Sequence, residues 1–154
     1  MSRGLTPGSR DDARQADPGK GLSVLVVDDE PVIRAFIARA LTLAGIDVAV
    51  AANGREALRL VADGHVRPSV VVTDIEMPTM TGIELAARLL ALRPALRIVM
   101  MTGDPDRAAA ARGHPSIVDE VLLKPIRSRD LVEAVRPDRG RSRTRADADR
   151  SPAR

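Results

Sequence analysis

A run of three valines at residues 70–72 limits the possible folds of this chain more than any other feature. The run is too short for a helix, and Pro68 and Pro78 bound it on either side. Such runs are typical of fully buried strands in parallel sheets. Asp74 stands at the carboxyl end of the run. An isolated aspartate at this point usually begins a turn, but a charge at the end of a buried strand also suggests a site that uses it.

Three further apolar runs also end in polar residues, namely Asp28 and Asp29 after the first, Thr102 after the second and Lys124 after the third. In all, five strand-like runs alternate with five helical patterns. This alternation predicts an α/β domain, a doubly wound five-stranded parallel sheet with helices on both faces. The carboxyl ends of parallel strands lie along one edge of the sheet, where ligands bind. We therefore expect these polar side chains to converge with Asp74.

The residue types at this expected site favour a metal ion and a phosphoryl group. Three clustered carboxylates repel one another unless protons or a dication neutralise them. Mg²⁺ suits such oxygen ligands, because it takes one or two carboxylates and completes its shell with waters and phosphate oxygens. Thr102 and Lys124 would supply donors to phosphoryl oxygens. Each residue alone also has an ordinary explanation, such as acids at a helix start or a solvated loop lysine, but their joint placement favours a site.

Several element boundaries can be predicted from local patterns. Asn53 and Thr81 each precede a glutamate by three residues, which is the capping-box spacing at a helix start. The last strand is predicted over residues 118–123, and Ser128 is predicted to cap the final helix. The alanines of residues 108–111 predict a short helix that buries little apolar area and is therefore weakly held.

Composition predicts one folded domain at residues 22–136, between a disordered segment at residues 1–21 and a disordered basic tail at residues 137–154. The net charge is +3, and arginines are concentrated in the tail, which we expect to be solvated rather than to bind nucleic acid. Phe36 is the only aromatic residue, so stacking platforms for single-stranded nucleic acid are absent. No apolar stretch has transmembrane length and no secretory signal is recognisable, so we expect no membrane partner.

Four sequence motifs together resemble the CheY-like receiver domains of two-component response regulators: Val-Asp-Asp-Glu at 27–30, Asp-Ile-Glu-Met-Pro-Thr-Met-Thr-Gly at 74–82, Met-Thr-Gly at 101–103 and Leu-Lys-Pro at 123–125. The resemblance covers roughly residues 22–136. Each motif alone is weakly specific, but the ordered set is specific. The resemblance implies a flavodoxin-like sheet with strand order 2-1-3-4-5.

The resemblance also implies a role for each site residue. Asp74 would accept a phosphoryl group from a phosphohistidine, while Thr102 and Lys124 would contact that group. Mg²⁺ would be held by Asp28 through a water, by Asp29 and Asp74 directly, and by the backbone carbonyl of Glu76. The peptide bond between Lys124 and Pro125 would be cis.

The same resemblance implies the biological setting. The chain would be a cytoplasmic single-domain response regulator, partnered by a sensor histidine kinase or a histidine phosphotransfer protein and by a downstream target that the sequence does not name. It would not be a conventional enzyme, since its only covalent chemistry would be gain and loss of the phosphoryl group on Asp74. Members of the family carry an aromatic residue three positions before the lysine, where this chain has Val121. We therefore expect a modest conformational switch, read through the loops after Asp74 and Thr102.

Three alternatives remain open on the sequence alone. The chain could be a receiver-fold interaction module that is never phosphorylated, although the intact set of polar residues argues against this. It could be a phosphatase with an aspartate nucleophile, since Asp74-x-Glu76 is similar to a D-x-D motif, although that class carries its motif on the first strand and needs a longer chain. It could also bind nucleic acid through the basic tail.

Overall fold

The structure is a computed structural model that describes residues 21–136. The segments predicted to be disordered, at residues 1–21 and 137–154, lie outside the described residues, apart from Gly21. Five strands are present in the described region: β1 (Ser23–Val27), β2 (Asp47–Ala51), β3 (Val70–Asp74), β4 (Arg97–Thr102) and β5 (Glu120–Leu123). They alternate with five helices: α1 (Pro31–Leu43), α2 (Gly54–Ala62), α3 (Gly82–Leu92), α4 (Pro105–Arg112) and α5 (Ser128–Val135).

The strands form a single parallel sheet in the order β2-β1-β3-β4-β5. This confirms the predicted doubly wound α/β fold and its strand order. Every residue of β3 is buried, as expected for a central strand with helices on both faces. In the described part of the chain, no helix is both long and apolar enough to cross a membrane.

Side chains alternate between two apolar clusters, one on each face of the sheet. From β1, Leu25 and Val27 point into the cluster beneath α2, α3 and α4, whereas Val24 and Val26 point into the cluster beneath α1 and α5. The helices differ in how much apolar side chain they bury against the sheet. Helix α4 buries only two alanines, whereas α3 buries two leucines, each worth about 1.5–3 kcal/mol when fully buried.

Local capping explains where α2 and α3 begin. The Asn53 side chain accepts a hydrogen bond from the Glu56 amide at 2.8 Å, and the Thr81 hydroxyl accepts one from the Glu84 amide at 3.2 Å. The prediction that Ser128 caps the last helix is wrong. Ser128 is instead the first residue of α5, and Arg127 occupies the cap position with extended backbone and no side-chain hydrogen bond.

The last strand is shorter than predicted, because it begins at Glu120 rather than at residue 118. The carboxylate of Asp119 explains the difference. It accepts a hydrogen bond from the Ile98 amide at 2.7 Å, while the Asp119 amide donates to the Ile98 carbonyl at 2.9 Å. The Asp119 carboxylate therefore accepts the β4 hydrogen bond that a backbone carbonyl of the last strand would otherwise accept.

Candidate functional site

The polar residues that end the strands meet at the carboxyl edge of the sheet, as predicted. Asp28 follows β1, Asp74 ends β3 and Thr102 ends β4, and all three are buried. Oxygens of Asp28, Asp29 and Asp74 all lie within 4.8 Å of one another. Of these three aspartates, only Asp29 is exposed. The cluster therefore offers three carboxylates around one small volume, reachable from solvent on the Asp29 side.

Lys124 follows β5 and brings a positive charge to the same cluster. Its Nζ lies 3.2 Å from Oδ2 of Asp74 and 3.7 Å from Oδ2 of Asp28. The peptide bond between Lys124 and Pro125 is cis, as the resemblance implied. One ammonium group thus faces two of the three carboxylates, which leaves the cluster with an excess of negative charge.

Asp28 shows the cost of this excess. It is fully buried, and its Oδ1 accepts a hydrogen bond from the Glu30 amide at 2.9 Å. Its Oδ2 has no hydrogen-bond partner among the described residues. Burial raises the pKa of the Asp28 carboxyl above its usual value, and the charges of Asp74 and Asp29 raise it further, against the lowering effects of the Glu30 amide and Lys124.

The donor set fits a hard dication. A buried oxygen without a hydrogen bond, facing two other carboxylates, has the chemistry of a ligand for Mg²⁺. The same atoms are poorly suited to a purely structural role, since a buried unsatisfied carboxylate oxygen destabilises a fold. The structure therefore brings together Asp28, Asp29 and Asp74 as the sequence predicted, whereas the predicted use of the Glu76 carbonyl stays a prediction.

Asp74 itself is held from two sides. Its Oδ1 accepts a hydrogen bond from the Glu76 amide at 3.3 Å, and its Oδ2 contacts Lys124. Its backbone is packed against the start of α3, because a Cβ at Gly82 would overlap the carbonyl oxygen of Asp74. Only glycine permits this approach of the helix to the strand.

Thr102 is buried, and its hydroxyl takes part in a small network that sequence reasoning missed. The hydroxyl donates to Oε1 of Glu76 at 3.3 Å and accepts from the Asp104 amide at 3.1 Å. Nε of Arg107, on α4, lies 3.2 Å from the same Glu76 oxygen. The sequence pointed to the Glu76 backbone carbonyl as a metal ligand and to Glu76 as part of a D-x-D-like motif, but no pattern in the chain indicated that Arg107 would reach its side chain.

Arg34 is a second residue that sequence reasoning missed. Its Nη1 donates to the backbone carbonyl of Asp28 at 2.7 Å, from the first turns of α1. Asp28 and Arg34 are six positions apart along the chain, a spacing that matches no side-chain pairing rule for helices. The contact fixes the backbone at the point where β1 turns into the acid cluster.

Comparison with known proteins identifies the family. Residues 24–136 match the family model described as the response regulator receiver domain. The chain is 34% identical over 113 residues to the DNA-binding response regulator MtrA of Mycolicibacterium smegmatis, which covers 73% of this chain and 48% of that protein. It is 36% identical over 127 residues to protein-glutamate methylesterase/protein-glutamine glutaminase 2 of Caulobacter vibrioides. That match covers 75% of this chain and 36% of the relative. The chain thus spans half or less of the length of these relatives.

Solved structures resemble the described fold. A CheY-like receiver domain protein of Methanospirillum hungatei aligns with a TM-score of 0.68 at 28% identity, covering 75% of this chain and 90% of that one. The response regulator TrrA of Thermotoga maritima, solved with Mg²⁺ and beryllofluoride, aligns with a TM-score of 0.66 at 30% identity, covering 73% and 95%.

The family match and the site agree with each other. The cluster of Asp28, Asp29 and Asp74 is typical of the Mg²⁺ site of receiver domains. Lys124 stands beside it on the fifth strand's carboxyl end, as the four motifs implied. The chain belongs to the response regulator receiver domain family, whose members are signalling modules rather than conventional enzymes.

Proposed function

We propose that residues 24–136 form a phosphoacceptor domain in which Asp74 receives a phosphoryl group from a phosphohistidine on a sensor kinase or a histidine phosphotransfer protein. One observation carries the proposal. Oxygens of the Asp74, Asp28 and Asp29 carboxylates lie within 4.8 Å of one another, and the Lys124 ammonium lies 3.2 Å from Asp74. The proposed acceptor carboxylate therefore lies next to both a pocket for a dication and a fixed positive charge.

The proposed reaction is an in-line displacement at phosphorus. An oxygen of Asp74 forms a bond to phosphorus as the phosphorus–nitrogen bond of the phosphohistidine breaks, and the electron pair leaves with the imidazole. The products are an acyl phosphate on Asp74 and a free histidine. A carboxylate is a weak nucleophile, so the protein contributes mainly positioning and charge compensation. The contacts of Asp74 with the Glu76 amide and with Lys124 supply the positioning.

The residues of the site take, in this proposal, the roles that the family resemblance implies. Asp29 and Asp74 would bind Mg²⁺ directly, Asp28 through a water, and the carbonyl of Glu76 would complete the protein ligands. The ion, when bound, supplies positive charge that offsets the carboxylates and the transferred group. Lys124 would then pair with a phosphoryl oxygen as a compact point charge.

Intact mass spectrometry tests the proposal. The protein is incubated with a small phosphodonor, with Mg²⁺ or with a chelator. We expect the mass of a single phosphoryl group to be added only with Mg²⁺, and to be absent in Asp74→Asn. Asp47→Asn, which changes an exposed aspartate on β2, is the matched control and should behave like the unsubstituted protein. Incorporation that survives in Asp74→Asn, or that ignores the chelator, would contradict the proposal.

One of the sequence-based alternatives has less support, and another is not tested. The phosphatase alternative placed its motif on a first strand, but Asp74 ends the third strand in a receiver fold. The basic tail lies outside the described residues, so its binding to nucleic acid stays a separate hypothesis. An interaction module that is never phosphorylated is tested directly by the mass measurement. The cytoplasmic setting and a downstream protein target belong to the proposal.

A further inference from the structure

The hydroxyl of Thr102 is fully committed in the described structure. A threonine hydroxyl has one proton to donate. Thr102 donates it to Oε1 of Glu76 at 3.3 Å, while its oxygen accepts from the Asp104 amide at 3.1 Å. The Thr102 residue is fully buried. The hydroxyl can therefore serve another acceptor only by leaving Glu76.

Glu76 is in turn fixed by α4. Nε of Arg107 lies 3.2 Å from the same Glu76 oxygen and 3.5 Å from Oδ2 of Asp104. The Glu76 amide donates to Asp74, so backbone and side chain of this one residue reach different parts of the site. Glu76 thus contacts the proposed phosphoacceptor through its amide, and both the Thr102 hydroxyl and helix α4 through its carboxylate.

We propose that Glu76 is a positioning residue that competes with a phosphoryl group on Asp74 for the single proton of Thr102, and that Arg107 carries the outcome to α4. The inference rests on the proposed function. A phosphoryl oxygen is a charged acceptor near the end of the strand beside β4, since Asp74 pairs with Met101, the residue before Thr102. When Thr102 donates to that oxygen, Glu76 loses a hydrogen bond and keeps only Arg107.

The expected size of this competition is small enough for phosphorylation to overcome. The side chains of Glu76 and Arg107 are 47% and 54% exposed, so solvent screens their charges. The hydrogen bond from Thr102 to a carboxylate screened in this way changes an equilibrium by about two- to fivefold. The competition would therefore adjust how readily the phosphorylated form is reached rather than prevent it.

Substitutions at two positions test the competition. Glu76→Gln and Glu76→Met both remove the negative charge, but only glutamine keeps an oxygen that can accept from Thr102. The readout is the beryllofluoride concentration at half-saturation, followed by amide NMR signals at saturating Mg²⁺, with Mg²⁺ affinity measured on each variant. We expect Glu76→Met to bind beryllofluoride about two- to threefold more tightly than Glu76→Gln, and the difference to disappear in a Thr102→Val background.

Each outcome of this experiment bears on the inference. Equal affinities of the glutamine and methionine variants would overturn it. A difference that persists without the Thr102 hydroxyl would also overturn it, since Glu76 would then act on the ligand or the metal directly. If the unsubstituted protein binds no beryllofluoride with Mg²⁺, the proposed function fails and the inference fails with it.

The part played by Arg107 has its own test. The Nε–H NMR signal of Arg107 should shift on saturation with beryllofluoride in the unsubstituted protein. It should shift much less in saturated Thr102→Val, in which no hydroxyl leaves Glu76. The Nε–H signal of Arg112, at the other end of α4, is the internal control. Equal shifts of the Arg107 signal with and without the hydroxyl would overturn its role.

Discussion

The carboxyl edge of the sheet and the side formed by α4 and β5 are built in contrasting ways. At the carboxyl edge, Asp28, Asp74 and Thr102 are buried and fixed by hydrogen bonds or charge contacts. Helix α4 packs through two alanines, and its contact with the site runs through exposed ion pairs. Val121 on β5 occupies the position where the resemblance led us to expect an aromatic residue. Groups that would accept a signal are thus rigidly specified, whereas groups that would transmit it are small or solvent-exposed.

The largest expected effect concerns the metal pocket at the carboxyl edge. Asp29→Asn should weaken Mg²⁺ binding by at least 10- to 100-fold, roughly the loss seen even when outer-shell partners of metal ligands are changed. Glu30→Gln is the matched control, because Glu30 is also exposed but lies outside the cluster. Isothermal titration with Mg²⁺ measures both. Similar losses in the two variants would mean that general negative charge, rather than the three-carboxylate cluster, attracts the ion.

The second prediction tests how rigidly Asp74 is held. Gly82→Ala should destabilise the protein by about 1–3 kcal/mol, the usual cost of forcing a methyl group into a packed site, since the new Cβ would overlap the Asp74 carbonyl. Gly103→Ala is the control, because a Cβ there meets no atom within 4 Å. Urea unfolding measures both variants. A tolerant Gly82→Ala protein would show that the backbone of Asp74 can shift easily, which would weaken the contrast between the two regions.

Much of the carboxyl edge could be predicted from the sequence, because strand ends and parallel topology fix where backbone atoms go. Thr102 and Lys124 are each the first polar residue after an apolar run, and Asp74 follows its run after a single threonine, so their convergence follows from the sheet alone. The link from Glu76 to Arg107 could not be predicted. It depends on side-chain conformations and on the course of two loops, which no periodic pattern encodes.

The same distinction explains the errors at element boundaries. Asp119 shortens the last strand because its carboxylate, rather than a backbone carbonyl, accepts the hydrogen bond of the Ile98 amide. Sequence periodicity does not report such a substitution of side chain for backbone. The start of α5 moved by one residue relative to the predicted cap at Ser128, within the usual scatter of helix ends.

The third prediction concerns the burial of the Asp28 carboxyl. Because burial raises the folded-state pKa of this carboxyl above its unfolded value, its ionisation costs stability. The cost is absent below the unfolded pKa of about 4 and is fully present above the folded pKa. Asp28→Asn should therefore raise the melting temperature of the metal-free protein at neutral pH, by about 3 °C.

The pH dependence and the metal supply the controls for this prediction. The advantage of Asp28→Asn should shrink as pH falls through the folded pKa, and should also shrink when Mg²⁺ stabilises the unsubstituted protein. Asp47→Asn, at an exposed position, should show neither trend. An Asp28→Asn protein that is less stable than the unsubstituted one at neutral pH without metal would mean that the carboxylate is adequately compensated by Lys124 and the Glu30 amide.

The fourth prediction addresses transmission, where we expect a modest effect. Hydrogen exchange is compared between the free protein and its complex with Mg²⁺ and beryllofluoride. Increased protection should be confined mainly to residues 74–80 and 102–106, since Val121 is stiff and too small to sweep between inward and outward positions. Thr102→Val should lose the change at residues 102–106 but keep most of the change near Asp74. A strong, continuous change across residues 107–136 would show that Val121 is no obstacle to transmission.

The smallest effect is expected from removing the two end segments of the chain. Removal of residues 1–20 and 138–154 should change the melting temperature by less than about 2 °C and leave phosphorylation of Asp74 unchanged. Both segments are rich in charged and small residues and have too little apolar content to join a core.

A deeper truncation serves as the control for that experiment. Removing residues 128–154 also deletes α5 with its fully buried Leu131 and Val135, and should unfold the domain. If the shorter truncation alone lowers the melting temperature markedly, an end segment must pack on the domain. The exposed side chains of α4 would then be candidates for that contact, because this helix buries only two alanines of its own. Such a result would remove the contrast between a fixed acceptor edge and a loosely built transmitting side.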